Sequence, residues 1–180
     1  CVIKGCEVMA RRVFKADLSV NGITQLKKEL LNYKNYTLQS KIESLTKRLA
    51  EQGVVTAKAN VTSLDAIFTG ELINSIHTQY GGSAKGTAIF YVVADSEHAV
   101  YVELGTGIVG AKKPYKGKLP VMYAQGKTIH HTKNGKYGWF YQDANGDWYF
   151  TEGMPSRPFM YETSLELMSI VVRTAKEVFG

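Results

Sequence analysis

The run YVELGTG, Tyr101 to Gly107, constrains this chain more than any other stretch, because it ends a helix and begins something different within three residues. Ser96 to Leu104 is predicted as a short helix. Ser96 can cap its first amides, Glu97 suits the positive helix end, and Val100, Tyr101 and Leu104 share one face. Gly105 predicts the stop, since glycine takes the left-handed conformation that ends helices, and Gly107 leaves the next backbone free to turn. Glu103, just before the exit, reads as a pairing or capping carboxylate. The polar residues that follow predict a mobile arm launched from a small anchored plug.

A chain of 180 residues can bury one core, and no shift in composition divides it. We read a single domain over 1–180, with 1–20 as a flexible N-terminal arm and 108–153 as an inserted arm and hairpin. No apolar run is long enough to span a bilayer, which predicts a soluble protein with no membrane partner. Lys4, Glu7, Arg11 and Arg12 interrupt the apolar residues that a signal peptide would need. Cys1 and Cys6 can build neither a disulfide framework nor a four-ligand metal site, so a reducing cytosol is the simpler setting. Met9-Ala10-Arg11-Arg12 looks like a bacterial start, which leaves open whether residues 1–8 are native.

The net charge is +6, but it is segregated. Residues 1–60 carry eleven basic and five acidic groups, 61–110 one and five, 111–138 seven lysines and no acid, and 139–180 three and six. A block of like charge repels itself and stays solvated, either as a plain exposed loop or as an arm that meets an anionic partner. Lys112, Lys113, Lys116 and Lys118 are the candidate contacts.

Along the chain, Ile23, Leu26, Leu30 and Tyr33 keep helical spacing, and Leu38, Ile42, Leu45 and Leu49 repeat it. The step from Tyr33 to Leu38 is out of phase, which predicts two helices, a break at Asn35-Tyr36-Thr37 with Thr37 as cap, and an end near Gly53 or Ala59. Thr69 is predicted to cap a brief helical turn through Leu72 and Ile73. Ser75 to Tyr80 and Thr87 to Ala94 should form an antiparallel hairpin turned by Gly81-Gly82-Ser83. Its second strand is apolar on both sides, so helices should cover one face and a neighbouring element or subunit the other.

After the lysines, Thr128 to His131, Tyr137 to Gln142 and Trp148 to Phe150 predict a three-strand meander, turned at Asn134-Gly135 and Asn145-Gly146. Ser156 is a candidate cap for a last helix with Pro158 in its first turn. On that helix Tyr161, Leu165, Met168, Val172, Ala175 and Phe179 form one stripe, while Leu167, Ile170, Val171 and Val178 widen it beyond one partner's reach. Packing on two sides is expected. The fold class is therefore α+β: two N-terminal helices and a long C-terminal helix packed on an antiparallel sheet, with a long basic and aromatic hairpin insertion.

Chemistry-bearing constellations are sparse. His130 and His131 are adjacent, and on a strand they point to opposite faces, away from any common metal. His77 and His98 stand apart from any nucleophile motif, and Gly105-Thr106-Gly107 lacks the lysine of a phosphate-binding loop. We expect no enzyme activity, no metal and no cofactor.

Three separated phrases carry a family resemblance: TGELINSI (Thr69 to Ile76), HAVYVELGTG (His98 to Gly107) and PSRPFMYETSLE (Pro155 to Glu166). Their order and spacing, behind paired N-terminal helices, resemble the head-tail joining proteins of tailed phages, the neck or tail-completion proteins of long-tailed siphophages and prophages. The landmarks are Thr69, Gly70, Leu72 and Ser75, then Tyr101, Glu103, Gly105, Thr106 and Gly107, then Pro155, Arg157, Pro158 and Phe159. The resemblance implies a non-catalytic structural virion protein, assembled in the bacterial host cytoplasm as a homo-oligomeric ring, a hexamer or dodecamer, in the neck. Its neighbours would be the portal-side head-closure ring and the tail terminator or tail tube, with non-specific contact to DNA in the lumen. Residues 108–153 depart from the family pattern.

Two alternatives stand beside it. Gly138 to Met154 resembles the aromatic hairpin repeats of cell-wall proteins that bind choline or glucan, which predicts column retention; such repeats stack in series, and one copy is present. A free, non-specific DNA-binding protein would instead hold duplex as a monomer, with steep salt dependence.

Overall fold

The structure, a computed structural model, describes residues 14–15, 17–66, 70–84, 86–120, 123, 131–143 and 145–180. Helix α1 (Val20–Asn32) begins at Ser19, whose hydroxyl accepts the Gly22 amide at 3.0 Å. Asp17 accepts the Ser19 amide and hydroxyl in turn, and those bonds hold its carboxyl below the usual range.

The predicted break after α1 does not occur. A π-helical segment, Tyr33–Thr37, carries the chain into α2 (Leu38–Ser63) with right-handed helical backbone throughout. The Leu38 amide donates to the Tyr33 carbonyl five residues back, so the turn holds one extra residue. That extra residue absorbs the out-of-phase step and keeps one apolar face running, and Thr37 caps nothing. Helix α2 also outruns its predicted end. Its buried residues Ala50, Gly53, Ala57 and Val61 step by three and four, and their small size lets other elements approach closely.

Beyond Asp65, whose φ of 52° turns the chain, Thr69 and the rest of 67–69 lie outside the described residues. Helix α3 (Glu71–Ser75) starts from Gly70 and leads into strand β1 (Ile76–Ala84), which pairs antiparallel with β2 (Thr87–Ala94). Gly81-Gly82 is not the turn. The strand continues through it with a register shift between Tyr80 and Gly82, and pairing extends to Ala84 opposite Thr87. A Cβ on Gly81 would lie 2.5 Å from the Tyr91 ring, so the bare backbone lets Tyr91 cross the bulge. Helix α2 packs on this hairpin, while Ile89 and Tyr91 stay exposed.

Two short helices follow, α4 (Ala99–Leu104) and α5 (Gly107–Lys112). The meander forms as β3 (His131–Lys133), β4 (Lys136–Gln142) and β5 (Trp148–Thr151) in that spatial order, with Asn134 and Gly135 both at positive φ in the first turn. His130 and the predicted extension at 128–130 lie outside the described residues. A short strand, β6 (Gly153–Met154), precedes the last helix, α6 (Phe159–Phe179).

Helix α6 runs antiparallel along α2. Asn60 donates to Thr163 at 3.2 Å, Leu167 closes over Gly53, and Lys41 donates to the Phe179 carbonyl at 3.2 Å. The architecture is α+β, centred on Ala57, Val61, Leu72, Ile76, Ala99 and Phe159. Packing on both sides of α6 is not what the structure has. The Thr163, Leu167 and Ile170 side meets α2, whereas the stripe of Leu165, Met168 and Val172 is open, with Met168 69% and Val172 62% exposed.

Candidate functional site

The three phrases singled out in the sequence meet in one place. Leu72, Ala99 and Phe159, one from each, share the buried core, and Ser96 donates to Glu71 at 3.3 Å just outside it. Ser75 turns its hydroxyl back to the Leu72 carbonyl at 2.8 Å, finishing α3. Helix α4 starts later than predicted: Ser96 accepts the His98 amide at 3.4 Å as a preceding turn, and the helix itself begins at Ala99.

Gly105 does end α4, its amide donating to the Tyr101 carbonyl at 2.8 Å. Its φ of 75° and ψ of 160° lie where only glycine sits without strain. A second demand is tertiary: a Cβ there would lie 2.5 Å from the Ser156 amide nitrogen. The chain does not leave as a free arm. Thr106 and Gly107 pair antiparallel with Met154 and Gly153, the Thr106 hydroxyl accepts the Met154 amide at 3.1 Å, and α5 follows at once. The Lys113 carbonyl then accepts the Ser156 amide at 3.3 Å, so the base of the insertion is clamped on both strands.

Glu103 is the centre of the clamp. Its two carboxylate oxygens accept the backbone amides of Met160 at 2.9 Å and Tyr161 at 3.0 Å, capping α6 from a different helix. Ser156, the predicted cap, instead donates its hydroxyl to the Glu103 carbonyl at 2.6 Å. Pro158, at the helix start, offers no side-chain cap, so an incoming carboxylate satisfies amides that the local sequence leaves open. The Arg157 amide adds a bond to the Val102 carbonyl at 2.8 Å.

Burial raises the Glu103 carboxyl above its ordinary 4.5, outweighing the Met160, Tyr161 and Tyr115 hydrogen bonds that pull it down. Tyr115 is raised too, by burial and then by the Glu103 charge, and its ring packs edge-on against Tyr161 with centroids 5.7 Å apart. Beside it Lys116 pairs with Glu162 at 2.8 Å, a bond that raises the lysine. The Tyr123 hydroxyl donates to the Gly105 carbonyl, with burial raising its ionisation. Glu103 also borders an open groove of about 540 Å³, lined by Gln79, Tyr91, Val93, Val100 and Met160.

Of the four lysines, Lys116 is engaged with Glu162, and Lys112, Lys113 and Lys118 extend into solvent. Tyr101 is exposed and Pro155 lies against Gly105. Trp139 of the meander leans on Gly107, and Tyr141 and Tyr149 form an exposed pair 5.8 Å apart across β4 and β5. Tyr115 and Tyr123 are the members of the junction that sequence reasoning missed. Each is a lone tyrosine in a lysine-rich loop, with no periodicity to mark it.

Among the described residues, no three His, Cys, Asp or Glu side chains are grouped to hold a metal, and no helix is long and apolar enough to cross a membrane. The fold and junction define an α+β protein with a clamped insertion and an apolar helix surface left open among the described residues. No family model, curated protein or solved structure matches the chain.

Proposed function

We propose that this protein is a structural subunit of a tailed-phage or prophage particle, forming a homo-oligomeric ring in the neck between the head-closure ring and the tail. The observation that carries the reading is the uncovered apolar side of α6, whose opposite side is already core. A subunit that works alone has no use for such a surface, and a building block does. The convergence of the three family-like phrases on one core and one clamp supports the same reading. Lys112, Lys113 and Lys118 then face an acidic neighbouring ring or the phosphates of DNA in the lumen, a contact without sequence preference and weakened by salt.

Deleting the gene is expected to leave DNA-filled heads without tails, seen by negative stain. Intact tailed particles from the deletion strain would end the proposal. Replacing Lys112, Lys113 and Lys118 together by alanine should impair joining while the unfolding midpoint stays put; normal particle yield would remove these lysines from the account.

A further inference from the structure

Helix α1 is amphipathic, yet none of its residues is buried. Because Lys41 of α2 already meets Phe179 at the end of α6, the rod carries α1 past the end of α6 and out of its own body. Val20, Ile23, Leu30 and Leu31 are exposed there, Ile23 at 53%. The N-terminal turns of this long rod therefore carry an apolar row that no buried core uses. The open stripe of α6 is its counterpart: among the described residues nothing covers it. The two rows match in spacing, since Ile23, Leu26 and Leu30 fall at i, i+3, i+7, as do Leu165, Met168 and Val172. Rows of this kind interlock at a crossing angle of about 20° with axes about 8–10 Å apart.

We propose that α1 of one copy docks along the Leu165, Met168 and Val172 stripe of α6 in the next copy, joining subunits head to tail. This deepens the ring-forming reading and rests on it for the presence of a second copy. Within one chain the contact is closed off, because the rod runs on without a break beyond the end of α6. Each copy offers one α1 and one stripe, so the interface is heterologous and closes when the rotation allows. A seam about 20 Å long and 10 Å wide is small beside the roughly 800 Å² per partner of a stable pair. An isolated pair is therefore weak, and a ring in which every copy makes the seam twice is favoured.

The test uses the full chain with Cys1→Ser and Cys6→Ser, and two versions of it carrying Leu30→Cys or Val172→Cys. Mixed and oxidised, they should give a crosslinked dimer containing one of each, and a chain with both substitutions should give a ladder ending in a closed species. Efficient crosslinking of Leu30→Cys to itself would mean that α1 meets α1, and of Val172→Cys to itself that α6 meets α6. A crosslink within one chain, or none at the highest soluble concentration, would assign the stripe elsewhere. Each of these results overturns the proposal. Met168→Glu, at an exposed position, should keep the unfolding midpoint and cut crosslinking at least about tenfold by placing a charge in the seam; undiminished crosslinking refutes it. Failure here and failure of the neck reading are separable, since tailless heads in the deletion strain do not depend on which helices touch.

Discussion

Removing the Glu103 carboxylate tests the clamp directly. In Glu103→Ala the Met160 and Tyr161 amides lose acceptors at 2.9 and 3.0 Å in a part-buried helix start. Loss of a helix cap costs about 0.5–2 kcal/mol, and hydrogen bonds to charged groups contribute about 1.5–3 kcal/mol each. Against this, removing a carboxylate that burial disfavours returns part of the loss. The balance is a destabilisation of about 2–3 kcal/mol, read as a lower urea midpoint with unchanged slope. Glu103→Gln keeps an acceptor oxygen and should lose about 1 kcal/mol or less.

The pair of variants also fixes the pH dependence. Since burial raises the folded-state pKa above 4.5, the folded protein binds the Glu103 proton more tightly than the unfolded chain does. Stability from this group is therefore greatest below 4.5 and falls as pH rises through the interval up to the raised value. Glu103→Gln lacks that change, so the wild-type advantage over it should shrink with rising pH and then level off. Urea titrations of both proteins between pH 4 and 8 measure the difference. A wild-type advantage that grows across the same interval would mean that the amide bonds outweigh burial, and would refute the reasoning.

Two further substitutions follow from the same geometry. Gly105→Ala should lower stability by about 2 kcal/mol or more, from strain at a positive φ and from collision with the Ser156 amide; an unchanged midpoint would show that the 153–158 segment can move away. Phe159→Ala removes the largest fully buried side chain among the described residues and should cost about 3–5 kcal/mol, seen in thermal or urea unfolding, whereas a loss under about 1 kcal/mol would displace it from the centre of the core.

Local chemistry announced much of this protein. The spacing of Ile23, Leu26 and Leu30, the β-branched run around Ile89 to Val93 and the Asn134-Gly135 turn each act over a few residues, and each element appeared where its residues placed it. Glu103 was legible as a capping carboxylate, but not as the cap of a helix that begins fifty-six residues later, at Phe159. The phase slip at Tyr33 to Leu38 was equally visible, though a break and a π turn satisfy it alike. The Leu38 amide, bonded to the Tyr33 carbonyl, shows that the chain takes the π turn.

What only the tertiary structure decided are the contacts between distant segments. The amphipathic width of α6 is written in its residues, but which side is core depends on where the small residues Ala50, Gly53 and Ala57 let α2 approach. Gly105 and Gly107 look from sequence like a helix exit, which Gly105 is, and in the fold they are also places where two backbones pass without room for a Cβ. Periodicity and propensity act through neighbours in the chain. Clamps, close approaches and the choice of a buried face act through neighbours in space, which one chain's order of residues does not specify.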